Sequence, residues 1–348
     1  MTTGCAVLVA VAVWRYGLPG RHPAHRGGAT GAPPAAAQSA ASARLLSPAA
    51  PAAATHADAS GLATVWKFEP AIEGDRVPIR SVGQIPAGIL VDATSGSVLW
   101  SKQHRAKKEI ASMTKMMTTL LAVEAVSRKQ MTLDQKITVS RTAAKTGGSQ
   151  VYLKQGEIVT FGGLLKTVII KSANDSAQLV AETVAGNEEA FVARMNERAK
   201  ALGMTGTAFY NVHGLPEKNS NVSTALDMAL LARELIKHPV VLTWSSTRRD
   251  TFRNDTFQLD NSNPLVGVVK GVDGLKTGYY RRAGFCITVT AERSGVRLIA
   301  VVIGVQKKSV RKAFCTELIE WGFRQAAVAR AQNGAAPGVP PSHGVSPR

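Results

Sequence analysis

The spacing of apolar residues predicts three helices in the middle of the chain. Residues 116–123 are apolar nearly all round, which is typical of a helix sunk into a domain core. Residues 162–170 indicate a second helix, and residues 175–186 a third, with apolar residues at helical spacing behind Asp175. We expect Asp175 to be an ordinary carboxylate at a helix N-terminus, and residues from about 112 to 235 to form a helical lobe.

Strands follow the helical region. The stretches 276–280, 283–290 and 297–303 indicate three antiparallel strands joined by tight turns at Arg281–Arg282 and Ser294–Gly295. Strands from both ends of the domain are expected to form one antiparallel sheet, with a cleft where the sheet meets the lobe. The fold class is therefore α/β, of the α+β kind.

The two ends of the chain lack this patterning. Residues 17–61 and 324–348 are rich in Ala, Pro, Gly and Ser without apolar periodicity, which predicts disorder. We divide the chain into a signal-like apolar leader at 1–16, a disordered linker and lead-in at 17–80, one folded domain at 81–323 and a disordered tail at 324–348. With 348 residues and 45% hydrophobic content, a sizeable core is expected.

Three polar clusters interrupt the pattern in a fixed order: Ser112-Met113-Thr114-Lys115, Ser172-Ala173-Asn174 and Lys276-Thr277-Gly278. Any one of them alone is more often an ordinary helix or turn than a site. Together they match the S-x-x-K, S-x-N and K-T-G signature of penicillin-binding proteins and class A β-lactamases. The order of the three clusters therefore favours a catalytic interpretation.

The first cluster has the spacing that a serine nucleophile and its base require. Ser112 and Lys115 are three residues apart, which on a helix puts both side chains on one face. A serine hydroxyl needs a base, and a lysine serves as one only when burial or nearby cations depress its pKa. We therefore expect Lys115 to be buried and Ser112 to lie near the positive end of the helix dipole.

The other two clusters supply polar groups for a peptide substrate. Ser172 and Asn174 are expected either to face one way in an extended segment or to project from one turn into the cleft. A hydroxyl there can relay a proton, and an amide can bind a peptide bond. An edge strand that carries Lys276, Thr277 and Gly278 can lie against a substrate backbone and hold its carboxylate.

The chain resembles the serine-type D-alanyl-D-alanine carboxypeptidases, the low-molecular-mass penicillin-binding proteins. The resemblance covers roughly residues 84–323. Segments that match the family, in addition to the first cluster, are 87–93, 96–99, 172–177, 191–196, 201–204, 213–215, 223–225 and 271–278. Two departures are Tyr280, where the family usually has threonine, and the stretch 261–263, which lacks an arginine that some members use to bind the substrate carboxylate.

The resemblance implies a β-lactamase/DD-peptidase-like fold, with a five-stranded antiparallel sheet flanked by helices and the active site in the cleft. It also implies roles for the clusters. Ser112 attacks, Lys115 takes its proton and Ser172 passes a proton to the leaving amine. Asn174 orients the peptide, and Lys276 and Thr277, with Gly278 beside them, bind the carboxylate.

The backbone N–H groups of Ser112 and Tyr279 are implied to form the oxyanion hole, as acyl transfer requires. The activity implied is removal of the terminal D-alanine from peptidoglycan stem pentapeptides through an acyl-enzyme, with β-lactam antibiotics as covalent inhibitors. Three alternatives remain: a DD-endopeptidase acting on cross-links, a class A-like β-lactamase, and a cell-wall binding protein without turnover. No cofactor is implied, and no metal-ligand spacing is present.

The net charge limits the classes of partner that the chain is expected to bind. The charge of +18 is carried by scattered basic residues, with no aromatic interleaving and no recognisable nucleic-acid module, so nucleic-acid binding is not expected. Attraction to anionic envelope polymers or lipid headgroups is the alternative to a solvated basic surface. Cys286 and Cys315 fall on apolar stretches and are expected to be buried free thiols, and His213 is expected to be a hydrogen-bonding loop residue.

The implied substrate requires export. Residues 5–14 resemble the apolar core of a signal peptide, but the basic residues follow this core instead of preceding it. Ten residues cannot span a bilayer as a helix. We expect a periplasmic or other extracytoplasmic location, with membrane anchoring left open and lipid attachment at Cys5 rejected.

Overall fold

The main sheet holds six strands. The computed structural model describes residues 70–334. In spatial order the strands are β1 (Ile72–Glu73), β3 (Ser97–Lys102), β2 (Ala87–Asp92), β12 (Val296–Val305), β11 (Gly284–Arg293) and β10 (Val272–Tyr280). All neighbours are antiparallel except β1 and β3. The expected five antiparallel strands are therefore confirmed, and a two-residue parallel strand, too short to show a sequence pattern, is added at one edge.

The domain also contains a helical lobe and three small strand pairs. The helices are α1 (Lys115–Ser127), α2 (Arg141–Lys145), α3 (Phe161–Ile170), α4 (Asn174–Ala185), α5 (Glu188–Ala201), α6 (Ala225–Leu235) and α7 (Pro239–Ser246). Short antiparallel pairs join β4 (Lys108–Glu109) to β7 (Val222–Ser223), β5 (Lys136–Thr138) to β6 (Ile158–Thr160) and β8 (Arg249–Phe252) to β9 (Phe257–Asp260). The three helices expected from periodicity are confirmed as α1, α3 and α4.

The sheet separates two hydrophobic cores because successive strand residues face opposite sides. Ile89 and Val301 pack with the helical lobe, whereas Leu90 and Ala300 pack with the C-terminal helix α8 (Lys308–Gly334). Gly322 of α8 lies so close to Leu90 that an added Cβ would be 2.8 Å from a Leu90 methyl carbon. The central strands are therefore buried on both faces, and the edge strand β10 faces the lobe.

Two expected boundaries are wrong. The predicted tail from 324 is helical as far as Gly334, because α8 continues there: Ala326 is buried in the second core, and Arg330 donates to the carbonyls of Ser294 and Gly295. At the N-terminal end, residues 72–80 belong to the predicted lead-in, but Val77 is buried in the same hydrophobic core as Ala326.

Composition predicts both boundaries wrongly because a few buried apolar residues are enough to pack a polar or Ala-rich segment against the core. The leader, most of the linker and residues 335–348 lie outside the described residues. No helix within 70–334 is both long and apolar enough to cross a membrane.

Candidate active site

Ser112 lies on a single 3-10 turn, Ala111–Thr114, that runs directly into α1. Ser112 is partly buried and Lys115, the first residue of α1, is fully buried. The Lys115 Nζ atom is 3.1 Å from Ser112 Oγ. The shared face expected from their spacing is therefore present, and the apolar run behind them is buried on nearly every side.

The Lys115 amine is hydrogen-bonded to neutral acceptors, and within residues 70–334 it forms no ion pair with a carboxylate. Its Nζ donates to Asn174 Oδ1 and to the His213 carbonyl, both at 2.6 Å. Burial lowers the pKa of Lys115 well below its ordinary value, and the positive charge of Lys276 lowers it further, against a smaller raising effect of Asp175. A neutral amine has two N–H donors and one lone pair. A neutral Lys115 can therefore donate to Asn174 Oδ1 and the His213 carbonyl and keep its lone pair for the Ser112 hydroxyl.

Ser172 and Asn174 are presented by the junction between α3 and α4. Ser172 has a positive φ of 66°, a conformation that non-glycine residues adopt rarely and often at functional sites. Asn174 opens α4, and its Nδ2 donates to the Gly147 carbonyl at 2.7 Å while its Oδ1 receives Lys115. The junction presents both side chains from one turn, the second of the two arrangements that their spacing allows.

The third cluster lies on edge strand β10. Lys276 is fully buried, and its Nζ donates to Ser172 Oγ at 2.8 Å and to the Thr277 carbonyl at 3.0 Å. Burial, and then the charge of Arg311, lower the pKa of Lys276 to about 7. The Thr277 hydroxyl makes only a long contact, 3.4 Å, with the Ser262 carbonyl. The second and third clusters are therefore joined by one direct hydrogen bond.

Gly278 allows β10 to approach Ser112, the predicted nucleophile. A Cβ at this position would stand 2.5 Å from the Ile110 carbonyl oxygen and 3.1 Å from the backbone nitrogens of Ser112 and Met113. Any larger residue would push the strand away. The neighbouring Tyr279 is exposed and stacks on Phe285, with ring centroids 4.1 Å apart. The backbones that carry the Ser112 and Tyr279 N–H groups thus meet here; their service as an oxyanion hole stays a prediction.

Asp175 and His213, for which the sequence predicts structural roles, have structural hydrogen-bond partners. The buried Asp175 carboxylate accepts from the backbone N–H groups of Val151, Leu153 and Ser176. Burial raises the pKa of Asp175 against these hydrogen bonds. His213 accepts from the Leu215 N–H through Nδ1, and burial, with the charge of Lys115, lowers its pKa to about 3. Cys286 and Cys315 are buried free thiols, as expected.

A buried amide network, not predicted from the sequence, supports the turn that carries Ser112. Asn221 Nδ2 donates to Thr114 Oγ1 and to the Asn211 carbonyl, both at 2.9 Å, and Asn211 Oδ1 accepts from the Gly214 N–H. Gly214 has φ 83°, and a Cβ there would be 2.1 Å from the Ala111 carbonyl oxygen. Only the asparagine-rich loop around His213-Gly214 hinted at this support. Isolated polar loop residues carry no period by which to find them.

Comparisons with known proteins identify the family of this chain. Residues 81–307 match the model of the D-alanyl-D-alanine carboxypeptidase family. The chain is 39% identical over 242 residues to the D-alanyl-D-alanine carboxypeptidase DacF of Bacillus subtilis, covering 69% of this chain and 62% of that protein. It is 37% identical over 268 residues to DacC of Escherichia coli, covering 75% and 65%. The chain thus spans just under two thirds of the length of these curated relatives.

Solved structures give the same picture. The fold is similar to penicillin-binding protein D2 of Listeria monocytogenes in its ampicillin-bound form, with a TM-score of 0.62 and 32% sequence identity. That match covers 69% of this chain and 97% of the other. The folded region found here therefore corresponds to nearly the whole of one solved penicillin-binding protein.

Proposed function

The chain belongs to the D-alanyl-D-alanine carboxypeptidase family, and we propose that it is a serine carboxypeptidase that removes the terminal D-alanine from peptidoglycan stem pentapeptides. The observation that carries the proposal is the buried Lys115 amine, placed 3.1 Å from Ser112 Oγ with two acceptors for its own N–H groups. That arrangement prepares a neutral base for a serine nucleophile.

Acylation begins when Ser112 Oγ attacks the carbonyl of the penultimate D-alanine and gives its proton to Lys115. The new Oγ–C bond forms a tetrahedral intermediate, whose oxyanion is bound by the N–H groups of Ser112 and Tyr279. Collapse breaks the C–N bond and releases D-alanine, whose amine receives through Ser172 the proton that Lys115 took from Ser112, which leaves Lys115 neutral again. The 2.8 Å hydrogen bond from Lys276 Nζ to Ser172 Oγ orients the Ser172 hydroxyl for this transfer.

Binding is assigned to the remaining polar groups. Asn174 orients the peptide bond, and Lys276 with Thr277 holds the terminal carboxylate beside Gly278. Hydrolysis of the resulting ester by water, with Lys115 again as base, returns the free serine. The acyl-enzyme formed with a β-lactam follows the same first step, which makes β-lactams covalent inhibitors and links this chain to the ampicillin-bound relative.

Deacylation separates the proposal from a class A-like β-lactamase, which needs a carboxylate to activate water. Within residues 70–334 no carboxylate is hydrogen-bonded to Ser112, Lys115 or Ser172, and Asp175 is occupied by three backbone N–H groups. We infer slow β-lactam turnover. An endopeptidase acting on cross-links uses the same chemistry and differs in the width of the cleft.

The peptide substrate lies outside the cytoplasm, so an extracytoplasmic location belongs to the proposal. Attraction of the basic surface to anionic envelope polymers belongs to it as well.

The direct test compares D-alanine release from diacetyl-Lys-D-Ala-D-Ala with hydrolysis of a chromogenic cephalosporin by the same preparation. We expect steady release of D-alanine and stoichiometric, slowly reversed acylation by the cephalosporin. Rapid cephalosporin turnover without D-alanine release would favour the β-lactamase. Binding without either reaction would favour a non-catalytic binding protein, and cleavage of cross-linked peptides alone would favour the endopeptidase.

A further inference from the structure

One segment of chain, residues 147–153, reaches the active site without contributing a predicted catalytic group. Its Gly147 carbonyl accepts from Asn174 Nδ2 at 2.7 Å, and its Ser149 carbonyl accepts from the Asn174 backbone N–H at 2.7 Å. An added Cβ on Gly148 would be 2.4 Å from Asn174 Nδ2. The 147–153 segment therefore fixes the side chain whose Oδ1 holds Lys115 Nζ at 2.6 Å.

The segment has no helix or strand hydrogen bonds of its own, so it depends on contacts from outside. Asp175 supplies one set, from the side of α4, by accepting from the N–H groups of Val151 and Leu153. Tyr152, between them, has a positive φ of 57°. A segment bent in this way keeps its shape only when its surroundings hold it.

Arg253 supplies the second set, from the opposite side. It lies at the tip of the β8–β9 hairpin, and its guanidinium donates to the Val151 carbonyl at 2.6 Å and to the Tyr152 carbonyl at 2.8 Å. The same guanidinium pairs with both carboxylate oxygens of Glu157, at 2.5 and 3.0 Å. The two side chains are only 22% and 20% exposed, so solvent screens the pair weakly.

The hairpin tip is shaped to present this guanidinium. Arg253, Asn254 and Asp255 all have positive φ, which turns the chain back on itself. The guanidinium also lies 5.1 Å from the ring centroid of Phe252 and 5.9 Å from that of Phe257, so aromatic rings support it. A planar fork that meets one carboxylate and two carbonyls is a task for arginine and not for lysine.

We propose that Arg253 is a positioning residue for acylation, acting through the 147–153 segment and Asn174 on Lys115. The inference rests on the proposed serine chemistry. Without the Arg253 contacts, the carbonyls of Val151 and Tyr152 lose their partner, and the Gly147 and Ser149 carbonyls no longer hold Asn174 in one place. Lys115 then loses a fixed acceptor, and its alignment with Ser112 Oγ deteriorates.

The test measures acylation by fluorescent penicillin in Arg253→Gln, resolved into the binding constant and the first-order acylation rate. The matched control is Arg249→Gln, because Arg249 is on the same hairpin, forms an exposed ion pair with Asp260 and makes none of the contacts with 147–153. We expect the first-order rate to fall about 10- to 100-fold in Arg253→Gln, the scale of small misplacements in an active site. Binding should change less than the acylation rate, since Lys276 and Thr277, which are proposed to bind the carboxylate, lie on another element.

Hydrogen exchange gives a second readout that does not depend on activity. The amides of Val151 and Leu153 should exchange faster in Arg253→Gln and at the parent rate in Arg249→Gln. Arg253→Lys should recover only part of the acylation rate, and Glu157→Gln, which leaves the two carbonyl contacts, should lose less than Arg253→Gln. If Arg253→Gln does not fold, the same comparison is made with Glu157→Gln, whose acylation rate should still fall below that of the control.

Three results would overturn the inference. These are a parent-like acylation rate in a folded Arg253→Gln protein, an equal loss in Arg249→Gln, or unchanged exchange of the two amides. Failure of the parent protein to acylate at all would instead count against the proposed function.

Discussion

The two buried lysines on opposite sides of the cleft differ in what their amines contact. Lys115, on the helical lobe, is near three oxygen atoms: Ser112 Oγ, Asn174 Oδ1 and the His213 carbonyl. Lys276, on the sheet, donates to Ser172 Oγ and the Thr277 carbonyl. Neither forms an ion pair with a carboxylate among the described residues, and burial lowers both pKa values.

The proposed roles of the two lysines, base and cation, differ accordingly. A neutral Lys115 amine can donate its two N–H groups to Asn174 Oδ1 and the His213 carbonyl and keep its lone pair for the Ser112 proton. An ammonium has three donors, and two protein acceptors leave Lys276 one donor for a substrate carboxylate. The charge of Lys276 also lowers the pKa of Lys115, so the two groups work best in opposite protonation states. Burial alone does not decide a lysine's role; its partners do.

The largest effect should come from replacing Lys115 by arginine. Arginine cannot be deprotonated, so Lys115→Arg should reduce acylation by about 10²- to 10⁴-fold, the range of general-base catalysis. Lys276→Arg keeps the charge and should retain much more activity. Stopped-flow acylation by penicillin measures both. Similar losses in the two variants would erase the distinction between base and cation.

Removing Lys276, the proposed ligand of the substrate carboxylate, should have the next largest effect. Lys276→Ala should lower kcat/KM for a peptide with a free C-terminus by a factor equivalent to about 2–5 kcal/mol, which is the scale of a lost buried charged hydrogen bond. A peptide amidated at its C-terminus should be a poor substrate for the parent and little further affected by Lys276→Ala. Equal cleavage of the amidated and free-acid peptides by the parent would contradict the carboxylate site and favour an endopeptidase.

The pH dependence of kcat/KM should show the ionisation of both lysines. The active form has Lys115 neutral and Lys276 charged, so kcat/KM should rise with pH as Lys115 loses its proton. It should fall again as pH passes through about 7, the pKa of Lys276 in the free enzyme. Lys276→Arg, which stays protonated, should remove the falling limb. A parent profile that only rises up to about pH 9 would show that Lys276 needs no charge.

Thr277→Val should have the smallest effect. The hydroxyl has only the long contact with the Ser262 carbonyl, so its loss should weaken substrate binding by about 0.5–1.5 kcal/mol and leave the acylation rate nearly unchanged. Thr316→Val on the exposed face of α8 is a matched control for the loss of a hydroxyl. A large loss of acylation rate in Thr277→Val would move the threonine from binding into catalysis.

Local pattern predicted the parts of the fold that have a strong period. The apolar run after Lys115 and the strands after Lys276 were predictable because helix and strand periods are visible over a few residues. Strand β1 and the last turns of α8 were not, because each is held by a few tertiary contacts, such as those of Arg330 with Ser294 and Gly295.

The site divides in the same way. The three clusters carry a motif and were found from it, including the partnership of Ser112 with Lys115. The groups that hold them in place were not found: the Asn211–Asn221 network, the Gly147 carbonyl and the Arg253 contacts join residues far apart in the sequence. A single sequence carries no signal for such pairings when the residues involved have no period.

The most direct test of the account is to locate the penicillin adduct. The protein is treated with penicillin, digested and examined by mass spectrometry, beside Ser112→Ala with its fold checked by circular dichroism. If Ser112 is the nucleophile, we expect one adduct per chain, at Ser112, and none in Ser112→Ala. An adduct that maps to Ser172, or that persists in folded Ser112→Ala protein, would contradict the assignment of the nucleophile.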